Sequence, residues 1–171
     1  MNHVTRTAAA VIGDAEGRVL LVQQTHGQRR WGLPGAHIEP AELPTEAIVR
    51  EVRRETGLET RVVDMVGLYH LTGGLDGAAE ELPDLLTYAF RCEVLSGEAV
   101  LNGRGRICHL GWHQPEDVPY PATTTATAAV ADAAAGRSGV VRHLARRSGA
   151  SRAEAPRAEA PRAEALGAEA R

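Results

Sequence analysis

The sequence predicts an α/β fold whose order of strands and helices permits an α/β/α sandwich, a mixed β-sheet held between helices. Three observations carry that prediction. Leu86, Tyr88, Phe90, Cys92 and Val94 alternate with Thr87, Ala89, Arg91 and Glu93, the clearest strand in the chain and one that belongs at the centre of a sheet. A helical stretch opens at Pro44, carries Ala47, Ile48 and Val52 at helical spacing and stops at Gly57. An alanine-rich helix starts at Pro121, runs from Ala122 to Ala135 and is stopped by Gly136, with Ala126, Ala129, Val130 and Ala133 packing on the sheet.

Taken in order, Val4 to Ile12 is rich in small and β-branched residues, as a strand is, and Asp14-Ala15-Glu16-Gly17 is a turn signal leading into Arg18 to Gln23, so the two runs read as a hairpin-like pair. A short polar loop, Gln24 to Arg30, delivers Trp31-Gly32-Leu33-Pro34. The first helix follows. Thr60 to Leu68 then alternates as a strand, with Val63 and Met65 on one face and Val62, Val66 and Leu68 on the other. Tyr69-His70-Leu71 precedes a polar, glycine-rich loop from Thr72 to Asp84, the sort of segment in which substrate choice resides. Its Glu80, Glu81 and Asp84 are candidates for an extra metal ligand or base, against the simpler reading of a solvated acidic loop. After the central strand and a Ser96-Gly97 turn, Ile107 to Trp112 forms another strand.

The domain is expected to span residues 1–144. Beyond it, residues 145–171 repeat as Arg-Ala-Glu-Ala-Pro, at Arg152 to Pro156 and again at Arg157 to Pro161. Recurrent Pro forbids a continuous helix and alanine alone cannot build a core, so this reads as a disordered tail.

Composition excludes several classes. The chain has 171 residues, 43% of them hydrophobic, enough to bury a core for one compact domain. A net charge of −3 without a basic stripe gives no footprint for a nucleic acid polymer. Met1 to Thr7 lacks an apolar signal region and no run reaches membrane-spanning length, so no membrane partner and a cytoplasmic location are expected. Cys92 and Cys108 lack metal-ligand spacing and read as buried free thiols; His26, His70, His109 and His113 have no spacing that makes a tetrahedral zinc site.

The chemistry concentrates in the first helix and the loop before it. Glu51 and Glu55 are one helical turn apart, so both carboxylates project from one face, and two aligned carboxylates attract a hard divalent cation. The segment from Ala36 to Leu58 resembles the Nudix box, G-x5-E-x7-R-E-U-x-E-E-x-G-U, where U is a bulky aliphatic residue. Glu42 takes the isolated Glu, Arg50-Glu51-Val52 the R-E-U, Glu55 the last Glu and Gly57-Leu58 the close. Two positions depart from it: Ala36 stands at the opening Gly and Arg54 at the first Glu of the E-E pair. The resemblance runs from about Val4 to Gly136. It continues in the W-x-L-P-G run before the box and in Trp112 followed by Pro115-Glu116-Asp117-Val118-Pro119.

The resemblance to the Nudix, MutT-like family implies a Nudix-like α/β/α sandwich and a hydrolase that cleaves a diphosphate linkage in a nucleoside diphosphate derivative or related small molecule. It implies Mg2+ or Mn2+ on Glu51 and Glu55 with Glu42 in support, Glu51 also serving as a base for water, and Arg50 orienting a box carboxylate. A metal is needed because the charges of a diphosphate repel a nucleophile until they are neutralised. Family members often pair as homodimers. Those specific for ADP-ribose often carry a Pro about fifteen residues past the box, where Gly73 stands here. Many relatives place a Glu a few residues before the Trp, where Arg104, Arg106 and His109 lie here.

Arg54 leaves several readings open: fewer metals, a guanidinium gripping phosphate directly, a loss of hydrolysis, or simple pairing with Glu51. Arg54 and Arg106 together suggest a phosphate clamp, against two independent surface residues. His37 contacts phosphate, acts in acid–base chemistry or only bonds the backbone; Trp31 stacks on a substrate ring or belongs to the core. Two alternatives to a working enzyme of the usual kind follow: a catalytically impaired ligand-binding or regulatory module, and a diverged diphosphate hydrolase of a specialised pathway that binds phosphate through Arg54.

Overall fold

The computed structural model describes residues 4–73, 82–102 and 105–146. Among the described residues, eight strands and two helices follow one another as β1 (Val4–Ile12), β2 (Val19–Gln24), β3 (Trp31–Gly32), β4 (Gly35–His37), α1 (Pro44–Thr56), β5 (Glu59–Thr72), β6 (Asp84–Ser96), β7 (Ile107–His113), α2 (Thr124–Ala134) and β8 (Val140–Ala145). Five strands form a mixed sheet in the order β4-β1-β6-β5-β8, in which β1 runs parallel to β6 and β8 parallel to β5. The alternating strand β6 is central, as expected.

The helices cover opposite faces. Ala47, Ile48 and Val52 of α1 are buried with Ala8, Ala10, Ile12 and Phe90, while Ala129 and Val130 of α2 pack with Val11, Val66, Tyr69 and Ala89. Successive residues of β1 thus feed alternate cores, which is the period of a strand buried on both sides. This is the α/β/α sandwich with a mixed sheet between helices.

The expected hairpin is corrected. The Asp14 carboxylate accepts from the Glu16 and Arg18 amides at 3.0 and 2.8 Å and makes the turn, yet only a single bridge, Gly13 to Val19, joins the two runs. Past it, β2 leaves for a second, three-stranded antiparallel sheet ordered β3-β2-β7. A turn signal fixes chain reversal; the partner is chosen by packing.

The facing assigned to β5 is also corrected. Its register with β6 shifts between Val62 and Asp64 and again between Met65 and Gly67. Each bulge inserts a residue and flips the alternation. Val62 and Met65 therefore both pack on the α1 side, Val66 joins the α2 side and Val63 is 56% exposed. The strand also continues through Tyr69-His70-Leu71 to Thr72. Glu80 and Glu81 lie outside the described residues, whereas Asp84 opens β6 and sits 3.2 Å from the His70 ring.

Strand β8 carries no period-2 burial and was not legible as a strand. It docks because Gly67 on β5 has no side chain: a Cβ there would meet the Val140 carbonyl oxygen at 2.6 Å. Helix α2 starts at Thr124, later than Ala122, because residues 121–123 run beside β3, with Trp31 N–H donating to Pro121 O and Thr123 N–H to Trp31 O, each at 2.8 Å. Thr123 Oγ1 then caps the helix by accepting from the Ala126 amide at 3.2 Å. Of the two thiols, Cys92 is buried but Cys108 only half-buried, so the expectation of two buried thiols is corrected for Cys108. Residues 147–171, and with them the repeats, lie outside the described residues. Among the described residues no helix is long and apolar enough to cross a membrane.

Candidate active site

Helix α1 is placed by its ends. Glu46 turns back to accept from the Leu43 amide at 3.1 Å, Pro44 fixes the first turn, and Gly57 closes the helix in the left-handed conformation at φ 74°, its amide donating to Arg53 O at 3.0 Å. With Ile48 and Val52 fixed in the core, Glu51 and Glu55 are carried inward: Glu51 is 1% exposed and Glu55 5%. Two carboxylates are thereby held in the interior.

Their partners differ. Glu51 accepts from Arg54 Nε at 2.9 Å and from Arg54 Nη2, from Arg50 Nη1 at 3.4 Å, and faces Arg106 Nη1 at 3.8 Å. Glu55 has the Gly35 amide as a donor, but its Oε2 is buried with no hydrogen-bond partner among the described residues. Burial first, and the Glu51 charge second, push the Glu55 carboxyl up to about 7, against the opposing pull of the Gly35 amide and Arg54. Without an ion, burial beside a second carboxylate thus favours the neutral form of Glu55, and a cation placed there would relieve both charges.

Gly35 was not singled out in the sequence beyond its place in the W-x-L-P-G run. A Cβ there would meet Ala8 O at 2.7 Å, so only glycine lets β4 lie against β1 and aim its amide at Glu55. The positioning signal was Pro34-Gly35, a dipeptide that by itself marks only a turn.

Glu55 opens on a cleft of about 570 Å³, which His37 and Arg106 also line. The size is that of a small-molecule site. Glu51 stands one helical turn before Glu55, with Arg54 over it and 48% exposed. Arg54 and Arg106 are thus brought to the same carboxylate, Arg54 donating to Glu51 Oε1 and Arg106 facing it at 3.8 Å. Glu42 is engaged elsewhere: Arg50 donates to its two oxygens at 2.8 and 3.0 Å and the Glu39 amide donates at 3.0 Å. The Arg50 pairing is the main reason its carboxyl lies below the ordinary range. Trp31 is not brought to the cleft. Its ring packs with the α2-side core and meets the edge of His113 at a centroid distance of 5.0 Å.

Among the described residues no three His, Cys, Asp or Glu side chains converge as a metal cluster. The pair still fits one hard ion. Magnesium is commonly bound by one or two carboxylates, completed by water and substrate phosphate. An unpartnered buried oxygen on Glu55 beside a second carboxylate is the donor set such an ion takes, so Glu51 and Glu55 could hold it; Glu42, clamped by Arg50, reaches the site only through that arginine.

Comparison with known proteins agrees with the fold. A solved MutT NUDIX hydrolase from Burkholderia pseudomallei superposes with a TM-score of 0.67 over 76% of this chain and 98% of its own, at 23% identity, a likeness of fold. A Caenorhabditis elegans protein described as a nudix hydrolase is 32% identical over 122 residues, 68% of this chain and 31% of that protein. An ADP-ribose pyrophosphatase of Methanocaldococcus jannaschii is 35% identical over 66 residues, 36% of this chain and 39% of that one. The chain thus spans 31% and 39% of the length of these two relatives. The family model of the NUDIX domain matches residues 3–133, most of the chain and all of the carboxylate helix, and the chain belongs to the Nudix family.

Proposed function

We propose that this chain is a metal-dependent hydrolase of a diphosphate linkage in a nucleoside diphosphate derivative or related small molecule. The observation that carries the reading is the unpaired Oε2 of buried Glu55 at the cleft, one turn from Glu51. Glu51 and Glu55 would hold a magnesium or manganese ion, which supplies Lewis-acid charge to the diphosphate when bound. The protein supplies the rest. Glu55 Oε2 is the open oxygen that would meet the ion, and burial keeps it free of competing hydrogen bonds. Glu51, the base for water that the family resemblance implies, has Arg54 on both oxygens, so in that role it would act once Arg54 gives up one of them to the ion or the water. Arg106, which lines the cleft, and Arg54 beside it, their side chains 58% and 48% exposed, would receive phosphate charge next to the carboxylates. Arg50 and Glu42 brace the loop against α1.

The pairing of Glu51 with Arg54 favours a second reading, a module that binds a diphosphate without hydrolysing it. One experiment separates them. Phosphate or monophosphate release is measured over nucleoside triphosphates, ADP-ribose, nucleotide sugars, dinucleoside polyphosphates and prenyl diphosphates, with magnesium or manganese, beside Glu55→Gln. Turnover that needs both metal and Glu55 supports the hydrolase. Silence across the panel, with a compound that still raises the melting temperature, supports the binding module.

A further inference from the structure

Away from Glu55 the cleft follows the sheet, and strand register measures it. Gly35 pairs with Ala9, and Ala9 with Ala89; two residues along, His37, Thr7 and Thr87 form the next row; two further, Leu85 pairs with Leu71. At about 3.3 Å per residue the leucine row lies roughly 13 Å from the Gly35 amide. Leu71 and Leu85 line the cleft there, joined by Leu82, which is 41% exposed. Arg146 fixes that third leucine, donating from Nη1 to Gly73 O at 2.6 Å and Leu82 O at 3.4 Å and from Nη2 to Pro83 O. On the way to the leucines the Thr7 and Thr87 hydroxyls bond each other at 2.8 Å, His37 is the remaining polar side chain of that row, and the Arg146 guanidinium at the far end is turned onto backbone carbonyls.

The chain has two Trp, three Tyr and one Phe, all of them among the described residues, and none lines the cleft. Trp31 packs in the α2-side core, and Tyr69 is buried with its hydroxyl on Asp132. Tyr88, Phe90 and Trp112 belong to the α1-side core, and Tyr120 is exposed and does not line the cleft. A base stacked on an aromatic ring gains roughly five- to a hundredfold in affinity. No such platform is offered here beyond the small rings of His26 and His37 at the rim.

We propose that the leucine end of the cleft receives an aliphatic group, so that the preferred ligand is an organic diphosphate with a non-aromatic carbon skeleton and not a nucleotide held by its base. This rests on the diphosphate reading above and narrows it.

The test uses the full chain with magnesium and three non-hydrolysable probes: unsubstituted methylenebisphosphonate, its hexyl ester, and adenosine α,β-methylene diphosphate, with dissociation constants from calorimetry. The hexyl compound is expected to bind at least tenfold more tightly than either of the others. Leu82→Asn, at a half-exposed position that spares the core, removes about tenfold of hexyl binding and leaves the unsubstituted probe unchanged; Leu85→Asn repeats the effect if it folds. An adenosine compound that binds as well as the hexyl one, with His37→Ala weakening it, overturns the inference, as does a hexyl group that adds nothing or an unaltered Leu82→Asn. Where the unsubstituted probe binds but the hexyl group adds nothing, only this inference falls. Where no probe binds, the diphosphate reading falls with it.

Discussion

Arg54 sits on Glu51 as a fork, Nε on one carboxylate oxygen and Nη2 on the other, at the helix position where the family pattern has a second glutamate. A metal ion and a guanidinium compete for the same carboxylate. Arg54→Ala is therefore expected to lower the manganese concentration at half-saturation about fivefold, the scale of one partly exposed ion pair, and to raise KM for a diphosphate substrate. Manganese titration by calorimetry or paramagnetic resonance checks the first part. An unchanged or weakened metal affinity would show that Arg54 does not guard Glu51.

Glu55 ties stability to pH. Its carboxyl is raised from an ordinary 4.5 to about 7, mainly by burial, so between those values the folded protein binds a proton that the unfolded chain does not. The contribution is fully present below about 4.5 and is lost as pH rises through 7. At 1.36 kcal/mol per unit the loss approaches about 3 kcal/mol in metal-free protein. Glu55→Gln should flatten the fall, melt higher than the parent at pH 8, and reduce turnover at least a hundredfold. Thermal melts from pH 4 to 8 in chelator, with a rate assay beside them, measure both. A parent whose stability rises across this range contradicts the assignment.

Much of this site was legible because it is local. Glu51, Glu55, Pro44 and Gly57 act within one helix, and helical spacing alone aligns them. The strand β6 was legible for a similar reason, since alternation marks its two faces locally, while its central place comes from pairing with β1 and β5. What escaped was set by contacts distant in sequence. The departure of β2 to a second sheet, the bulges that flip Val62 and Val63, and the docking of β8 on Gly67 leave no local pattern. Trp31 shows the same limit from the other side: an aromatic ahead of the box suits a ring platform equally well until His113 and the α2 core are seen to hold it.

Gly35 is the least conspicuous residue on which the site depends. Gly35→Ala would drive a methyl onto Ala8 O, 2.7 Å away, and turn its amide from Glu55. Loss of one buried, charge-assisted bond together with overpacking is worth about 2–4 kcal/mol. We expect a lower melting temperature and a loss of turnover larger than the stability change explains, with the Glu55 proton affinity rising further. Turnover at the parent level in a folded Gly35→Ala protein would remove Gly35 from the site.

Asp132 holds the far side of the sandwich and had no signature within its alanine-rich helix. It is 1% exposed and accepts from the Tyr69 hydroxyl at 3.0 Å, Arg137 Nη1 at 2.8 Å and Arg142 Nε at 2.6 Å, tying α2 to β5 and β8. Arg142 above all holds its carboxyl down to about 2. The folded value lies below the ordinary 3.8, so its stabilisation is present above about 4 and disappears as pH falls toward 2. Asp132→Ala strands the buried Tyr69 hydroxyl and frees two arginines that water can reach, a loss of about 1–3 kcal/mol. Denaturant titration at pH 7 should show that loss, and the gap between parent and variant should narrow on acidification to pH 2. Because Asp132 lies outside the cleft, KM in whatever fraction stays folded is expected to remain that of the parent, which separates a strut of the fold from a part of the site.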